Sequence, residues 1–230
     1  MMRLTRQLRL IAAVALCVLP GAWVLQQAYA APTAQVGILW EVSSAGKPTS
    51  YLMGTVHSDD PRVLDLPGTV RDAFAGADSF TAEIDMTPQA MVTISGAMFF
   101  QDQTELSKVI GKDLYAKCTR LLAEYGLPEP VVRKIKPWAV VVTLSTPKST
   151  SGLFLDQVLY TQFVAGGKPV YGLETVEEQV NYFDGLPMRH QVSMLRETVR
   201  HHKDYSHLTE QMINAWLDRD LSALERLNDD

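Results

Sequence analysis

The first histidine of the chain, His57, closes the apolar run Tyr51-Leu-Met-Gly-Thr-Val and stands three residues after Gly54. Asp59 and Asp60 follow it. An imidazole delivered by an extended segment into an acidic loop can ligate a metal or act as a general base. It can equally be a surface-loop histidine near acids. Glu83 and Asp85 are the next candidates. Two residues apart on a strand, they share one face about 7 Å apart, a spacing that suits convergence on a metal or on one polar pocket. Glu174 ends the short run Pro169-Val-Tyr-Gly-Leu. That is the ligand-binding edge of an open α/β sheet, and it is also where an acid favours the dipole of a following helix.

Other reactive residue types do not form patterns. His201, His202 and His207 lack the i, i+3 or i+4 spacing that puts ligands on one helix face, and His190 is isolated, so all four are read as non-catalytic. Cys118 falls on the apolar face of an expected helix, where a buried inert thiol is the common outcome. The sequence has no GxSxG elbow, Walker loop, dinucleotide fingerprint or CxxC pair.

The elements needed to position these residues can be read from periodicity. Ile38–Val42 and Ser50–His57 flank a turn at 43–48 and predict a hairpin. Pro67-Gly68 opens a short helix ending near Gly76. The next strand, Ser79–Asp85, alternates Phe80, Ala82 and Ile84 against Thr81, Glu83 and Asp85. Strand, helix and strand in this short span predict a βαβ unit and a partly parallel sheet. Helices are expected over Gln89–Phe100, Lys112–Tyr125, Ala139–Leu144, Leu153–Ala165 and from Met188 onward. Pro169–Gly172 reads as a short buried strand, and Thr175-Val-Glu-Glu178 as a capping box. The fold class is therefore mixed α/β and rich in helix, with a central partly parallel sheet, an N-terminal hairpin and a large helical section.

Arg3, Arg6 and Arg9, the apolar run Leu10–Leu25 and the Ala28-Tyr-Ala30 site have the order of a secretory signal peptide. Residues 1–30 are expected to be cleaved, giving an exported periplasmic or secreted protein, with a retained N-terminal anchor as the alternative. No further stretch of about 20 apolar residues follows to span a membrane. The remaining 31–230 read as one domain. Loss of three arginines takes the formal net charge from −5 to −8. With no basic run, nucleic acid is not an expected partner.

Leu39-Trp-Glu-Val42, Tyr51-Leu-Met-Gly-Thr-Val-His57, Glu83-Ile-Asp85, Lys136-Pro-Trp138 and Gly172-Leu-Glu-Thr175 with Glu178-Gln179 occur in this order. Together they resemble the TraB/PrgY/GumN family, whose relatives include the TIKI metalloproteases, erythromycin esterases and ChaN-like proteins. The resemblance implies an α/β fold in which His57, from a GxxH motif, and Glu83 line a shared pocket. In the TIKI branch such a site holds a divalent metal for peptide hydrolysis, and Asp85 or Glu174 would complete it here. In the esterase branch the histidine is a metal-free general base. The family pattern continues into a second GxxH motif that this sequence does not contain. The resemblance thus leaves three expectations: a metal-dependent peptidase-like hydrolase, an incomplete binding protein of the same fold, or a metal-free esterase acting on small esters. It also leads to an expectation that the chain is C-terminally incomplete and self-associates through an uncovered sheet edge.

Overall fold

The computed structural model describes residues 37–149 and 151–229, so the expected signal peptide at 1–30 lies outside the described residues. Along the chain the elements are β1 (Leu39–Val42), β2 (Ser50–Met53), α1 (Pro61–Leu64), α2 (Gly68–Gly76), β3 (Phe80–Ile84), α3 (Pro88–Ala97), α4 (Leu106–Ile110) and α5 (Lys112–Ala123). There follow α6 (Glu129–Val132), α7 (Pro137–Ser145), α8 (Leu155–Ala165), β4 (Val170–Glu174), α9 (Val176–Asp184), α10 (Met188–Leu217) and α11 (Leu221–Asp229). The result is the expected mixed, helix-rich α/β fold, divided into two compact units.

The first unit takes its described residues from 37–77, 151–155 and 207–229. β1 and β2 pair as an antiparallel hairpin, Leu39 opposite Met53 and Val42 opposite Ser50. Gly46 makes the reversal at φ 71°, a left-handed conformation that suits glycine. Asp60 caps α1 through its side chain, and Pro61 occupies the first turn, where no backbone donor is needed. The apolar side chains of Val63, Val70, Ile213 and Trp216 are buried. α10 ends before Arg219, which adopts φ 60°, and the Arg219 carbonyl accepts from Gly37 N at 3.0 Å. That bond ties the start of the described chain to the turn between α10 and α11.

The second unit takes residues 78–149 and 156–206. β3 and β4 run parallel, with Phe80 opposite Val170, Ala82 opposite Gly172 and Ile84 opposite Glu174. Ala82 and Ile84 are buried, as the alternation requires. The densest core element is α7, where Trp138, Ala139, Val140, Val141 and Leu144 are all buried. Its valines favour strand, but Pro137 at the helix start and the packing of Trp138–Val141 and Leu144 in the core select helix, as tertiary packing overrides propensity. Asp184, at the end of α9, accepts from Lys136 Nζ at 2.8 Å and from Trp138 Nε1 at 2.9 Å. Trp138 also stacks on Phe183, ring centroids 5.8 Å apart. The Lys136-Pro-Trp138 segment is thus locked to one carboxylate 46 to 48 residues away.

Three expectations need correction. The parallel pairing joins β3 to β4, not β2 to β3, and the described strands form two two-stranded sheets instead of one central sheet. β2 stops at Met53, so Gly54–His57 is loop. Gly54 N donates to Ile38 O and its carbonyl accepts from Trp216 Nε1, which turns the chain out of the hairpin. β4 extends to Glu174 and is not buried: Tyr171 and Leu173 are 56% and 66% exposed.

Candidate functional site

His57 belongs to the first unit, and Glu83, Asp85 and Glu174 to the second. His57 is half-buried next to buried Ser58, with its ring 6.3 Å from that of Phe154. The two aspartates after it have structural work. Asp59 accepts from the backbone N and Oγ of Ser151 at 2.7 and 3.0 Å. Asp60 caps α1 and pairs with Arg62, Nη2 to Oδ2 2.6 Å, and Arg62 reaches on to Glu210 at 3.1 Å. The hydrogen bonds from Arg62 hold the Asp60 carboxyl below the usual carboxylate range. The acidic loop around His57 is therefore a capped turn. The glycine of the GxxH motif is not demanded locally, since a Cβ at Gly54 would meet nothing within 4 Å.

The second unit assembles a pocket at the C-terminal edge of β3 and β4. Parallel register puts Glu174 opposite Ile84, one residue before Asp85, so both carboxylates arrive at the same end of the sheet. Asp85 and Glu174 line a cavity of about 320 Å³ together with the first turns of α3 and α9. α3 starts at Thr87, whose side chain accepts from Ala90 N, and α9 starts at the Thr175–Glu178 capping box. Both caps keep the helix starts in place, so the pocket wall is built from fixed backbone. Gly172 allows the close approach. A Cβ there would lie 2.7 Å from Asp85 N and 3.0 Å from Glu174 O.

Asp85 Oδ1 accepts the Tyr160 hydroxyl at 2.6 Å. Burial, and then the carboxylate beside it, pushes the Tyr160 phenol up to about 12, so it remains a donor at neutral pH. Glu174 Oε2 is buried with no hydrogen-bond partner. A buried carboxylate oxygen without a donor is costly unless a cation or a ligand donor completes it. Glu177 adds a third acid to the lining, which includes no Lys, Arg or His among the described residues. The pocket therefore attracts positive charge.

A family model described as TraB/PrgY/gumN family matches residues 38–230. The chain belongs to the TraB/PrgY/gumN family. Neither the curated proteins nor the solved structures contain a match to it.

Among the described residues no three of His, Cys, Asp or Glu gather into a group able to hold a metal ion. A catalytic zinc site uses three protein ligands, whereas Mg²⁺ or Mn²⁺ is commonly held by one or two carboxylates completed by water or substrate. Asp85 and Glu174 fit the second donor set. Glu83 is half-buried on β3 and is not part of this pocket's lining. Tyr160 and Asp184 escaped the sequence reading. Lys136-Pro-Trp138 signalled that something nearby mattered, but nothing in the sequence pointed to Asp184 as its acceptor.

The remaining histidines lie on α10. His201 Nδ1 is 3.1 Å from Asp204 and its Nε2 3.8 Å from Glu197. The His202 ring lies 6.2 Å from Tyr125. Cys118 is fully buried, and burial pushes its thiol up to about 12, which keeps it protonated and unreactive.

Proposed function

We propose that this TraB/PrgY/gumN family member is an exported, metal-assisted hydrolase acting on peptides, with Asp85 and Glu174 as the carboxylates that hold the cation. The observation that carries this reading is the joint delivery of Asp85 and Glu174 into one acid-lined pocket, with one Glu174 oxygen buried and unpartnered. A bound divalent ion would polarise a substrate carbonyl and lower the pKa of a water molecule. Within the chain, Tyr160 orients Asp85 by donating to Oδ1, and Asp85 and Glu174 would hold the cation through their carboxylates. The capped starts of α3 and α9 hold the pocket wall still, as preorganised catalysis requires. The same negative pocket would also accept the ammonium group of a peptide N-terminus.

His57 separates the two hydrolytic routes that the family resemblance offers. As a ligand it would support a metal-dependent peptidase, and as a general base it would support metal-free ester hydrolysis. Glu83 is the second residue to which the resemblance gives a role. In the test, purified mature protein is assayed on unstructured peptides and on small esters, with Mn²⁺ and with chelator. Peptide cleavage that needs the ion and disappears in Asp85→Asn and Glu174→Gln supports the proposal. Ester cleavage that survives chelator and disappears in His57→Ala favours the esterase route. A second reading is a non-catalytic binding protein of the same family. Ion and peptide binding without turnover would select it. Export is tested by sequencing the N-terminus of the secreted or periplasmic fraction, where Ala31 is expected first.

A further inference from the structure

A second cleft of this unit shares no lining residue with the acid pocket; it lies between α5 and the 196–200 stretch of α10 and has a volume of about 780 Å³. Its lining carries five cations, Lys112, Lys117, Arg120, Arg196 and Arg200, against one acid, Asp113. All five are exposed. Arg200 shares Glu197 at 3.2 Å, while the other four make no ion pair among the described residues.

Helix stability accounts for only part of this placement: Arg120 stands in the last turn of α5 and Arg200 pairs with Glu197, but the cations also repel one another. Lys117 and Arg120 are an i, i+3 pair, and Arg196 and Arg200 an i, i+4 pair, of like charge. Such pairs weaken a helix. They stand together on a chain whose formal net charge is −5, so general solubility does not call for them either. The start of α5 adds free amides beside Asp113, the acid of its first turn. It opens at Gly111, φ 83°, with no side chain capping its first amides. Uncapped amides at a helix start favour a bound anion. Leu114, Leu121 and Val199, all half-buried, give the cleft an apolar floor.

We propose that this cleft binds a phosphate-bearing amphiphilic molecule, its anionic head on the Lys and Arg rim and its apolar portion on the floor. The guanidinium forks of Arg120, Arg196 and Arg200 match phosphate oxygens in pairs, and Lys112 and Lys117 add point charges. Five cations against one acid suit a multiply charged head better than a single carboxylate. The volume falls within the usual range for small-ligand sites. The source is either a soluble phosphorylated compound or the headgroup of an anionic phospholipid.

The test uses the full mature chain with two probes. One is tripolyphosphate, followed by calorimetry. The other is phosphatidylcholine vesicles with or without phosphatidylglycerol, followed by co-sedimentation. Lys117→Glu/Arg120→Glu and Arg196→Glu/Arg200→Glu should each weaken binding by about tenfold or more, since each removes two charge-assisted contacts. The matching glutamine pairs, which create no new repulsion in the fold, should weaken it in the same direction. Lys47→Glu, in the hairpin turn, is the control and should change nothing. Loss of tripolyphosphate binding identifies a soluble ligand. Loss of phosphatidylglycerol-dependent sedimentation, with tripolyphosphate silent, identifies a lipid head. The proposal is overturned if neither probe binds, if the reversals leave binding unchanged, or if Lys47→Glu weakens it equally. Tighter binding of polyglutamate than of either phosphate probe would also overturn it.

Discussion

The acid pocket and the basic cleft lie in the same unit and are built on opposite plans. In the pocket, strand register and two capped helix starts fix the positions of Asp85 and Glu174, and glycine at 172 is what lets the backbones close. In the cleft, long side chains of α5 and α10 stand around an apolar floor. One site depends on main-chain geometry and the other on charge. Changes of shape should therefore damage the first, and changes of charge the second.

The largest expected effect is at Gly172. A methyl group there meets the backbone of Asp85 and Glu174, so Gly172→Ala should cost about 2–3 kcal/mol in urea denaturation. A cost below about 0.5 kcal/mol would mean that the strands are not held as closely as described. Next is the cap. Thr175→Ala removes the hydroxyl that accepts from Glu178 N and should destabilise by about 1 kcal/mol, measured in the same way. In the cleft, Lys117→Ala and Arg196→Ala should each stay within about 0.5 kcal/mol of the parent, because no ion pair is lost. A larger loss from either would show that the cleft too is structural.

The smallest effect sharpens the pocket's electrostatics. The Tyr160 phenol is raised from its ordinary value of 10 to about 12. A group whose folded pKa is raised contributes stability that is fully present below the unfolded value and lost as pH passes the folded one. Stability should therefore fall between about pH 10 and 12 more steeply in the parent than in Tyr160→Phe, as read from thermal unfolding at each pH. Identical slopes would remove Tyr160 from the account of Asp85.

Much of the pocket was legible in the sequence because it rests on local signals. The alternation of Phe80–Ile84 marked the strand that delivers Asp85, though Glu83 on the same expected face does not line the pocket, and Thr175 and Glu178 declared their capping box. What local signals do not carry is pairing. Nothing within Ser79–Asp85 says that its partner is 90 residues ahead and not the preceding hairpin, so the βαβ expectation joined the wrong strands. The bonds of the acids beside His57 were not legible either: Asp59 accepts from Ser151, and Asp60 caps α1 and pairs with Arg62. The basic cleft left no mark at all. Its cations come from stretches some 80 residues apart, and each stretch alone is an ordinary solvated helix face.

The central claim is that Asp85 and Glu174 together form a cation site, and Mn²⁺ titration of the mature protein tests it most directly. Calorimetry of the parent should show binding at one site, weakened by about tenfold or more in Asp85→Asn and in Glu174→Gln, with Arg196→Ala unchanged. Equal Mn²⁺ affinity in the parent and in the Asp85→Asn/Glu174→Gln double variant, with both folded, would contradict the claim.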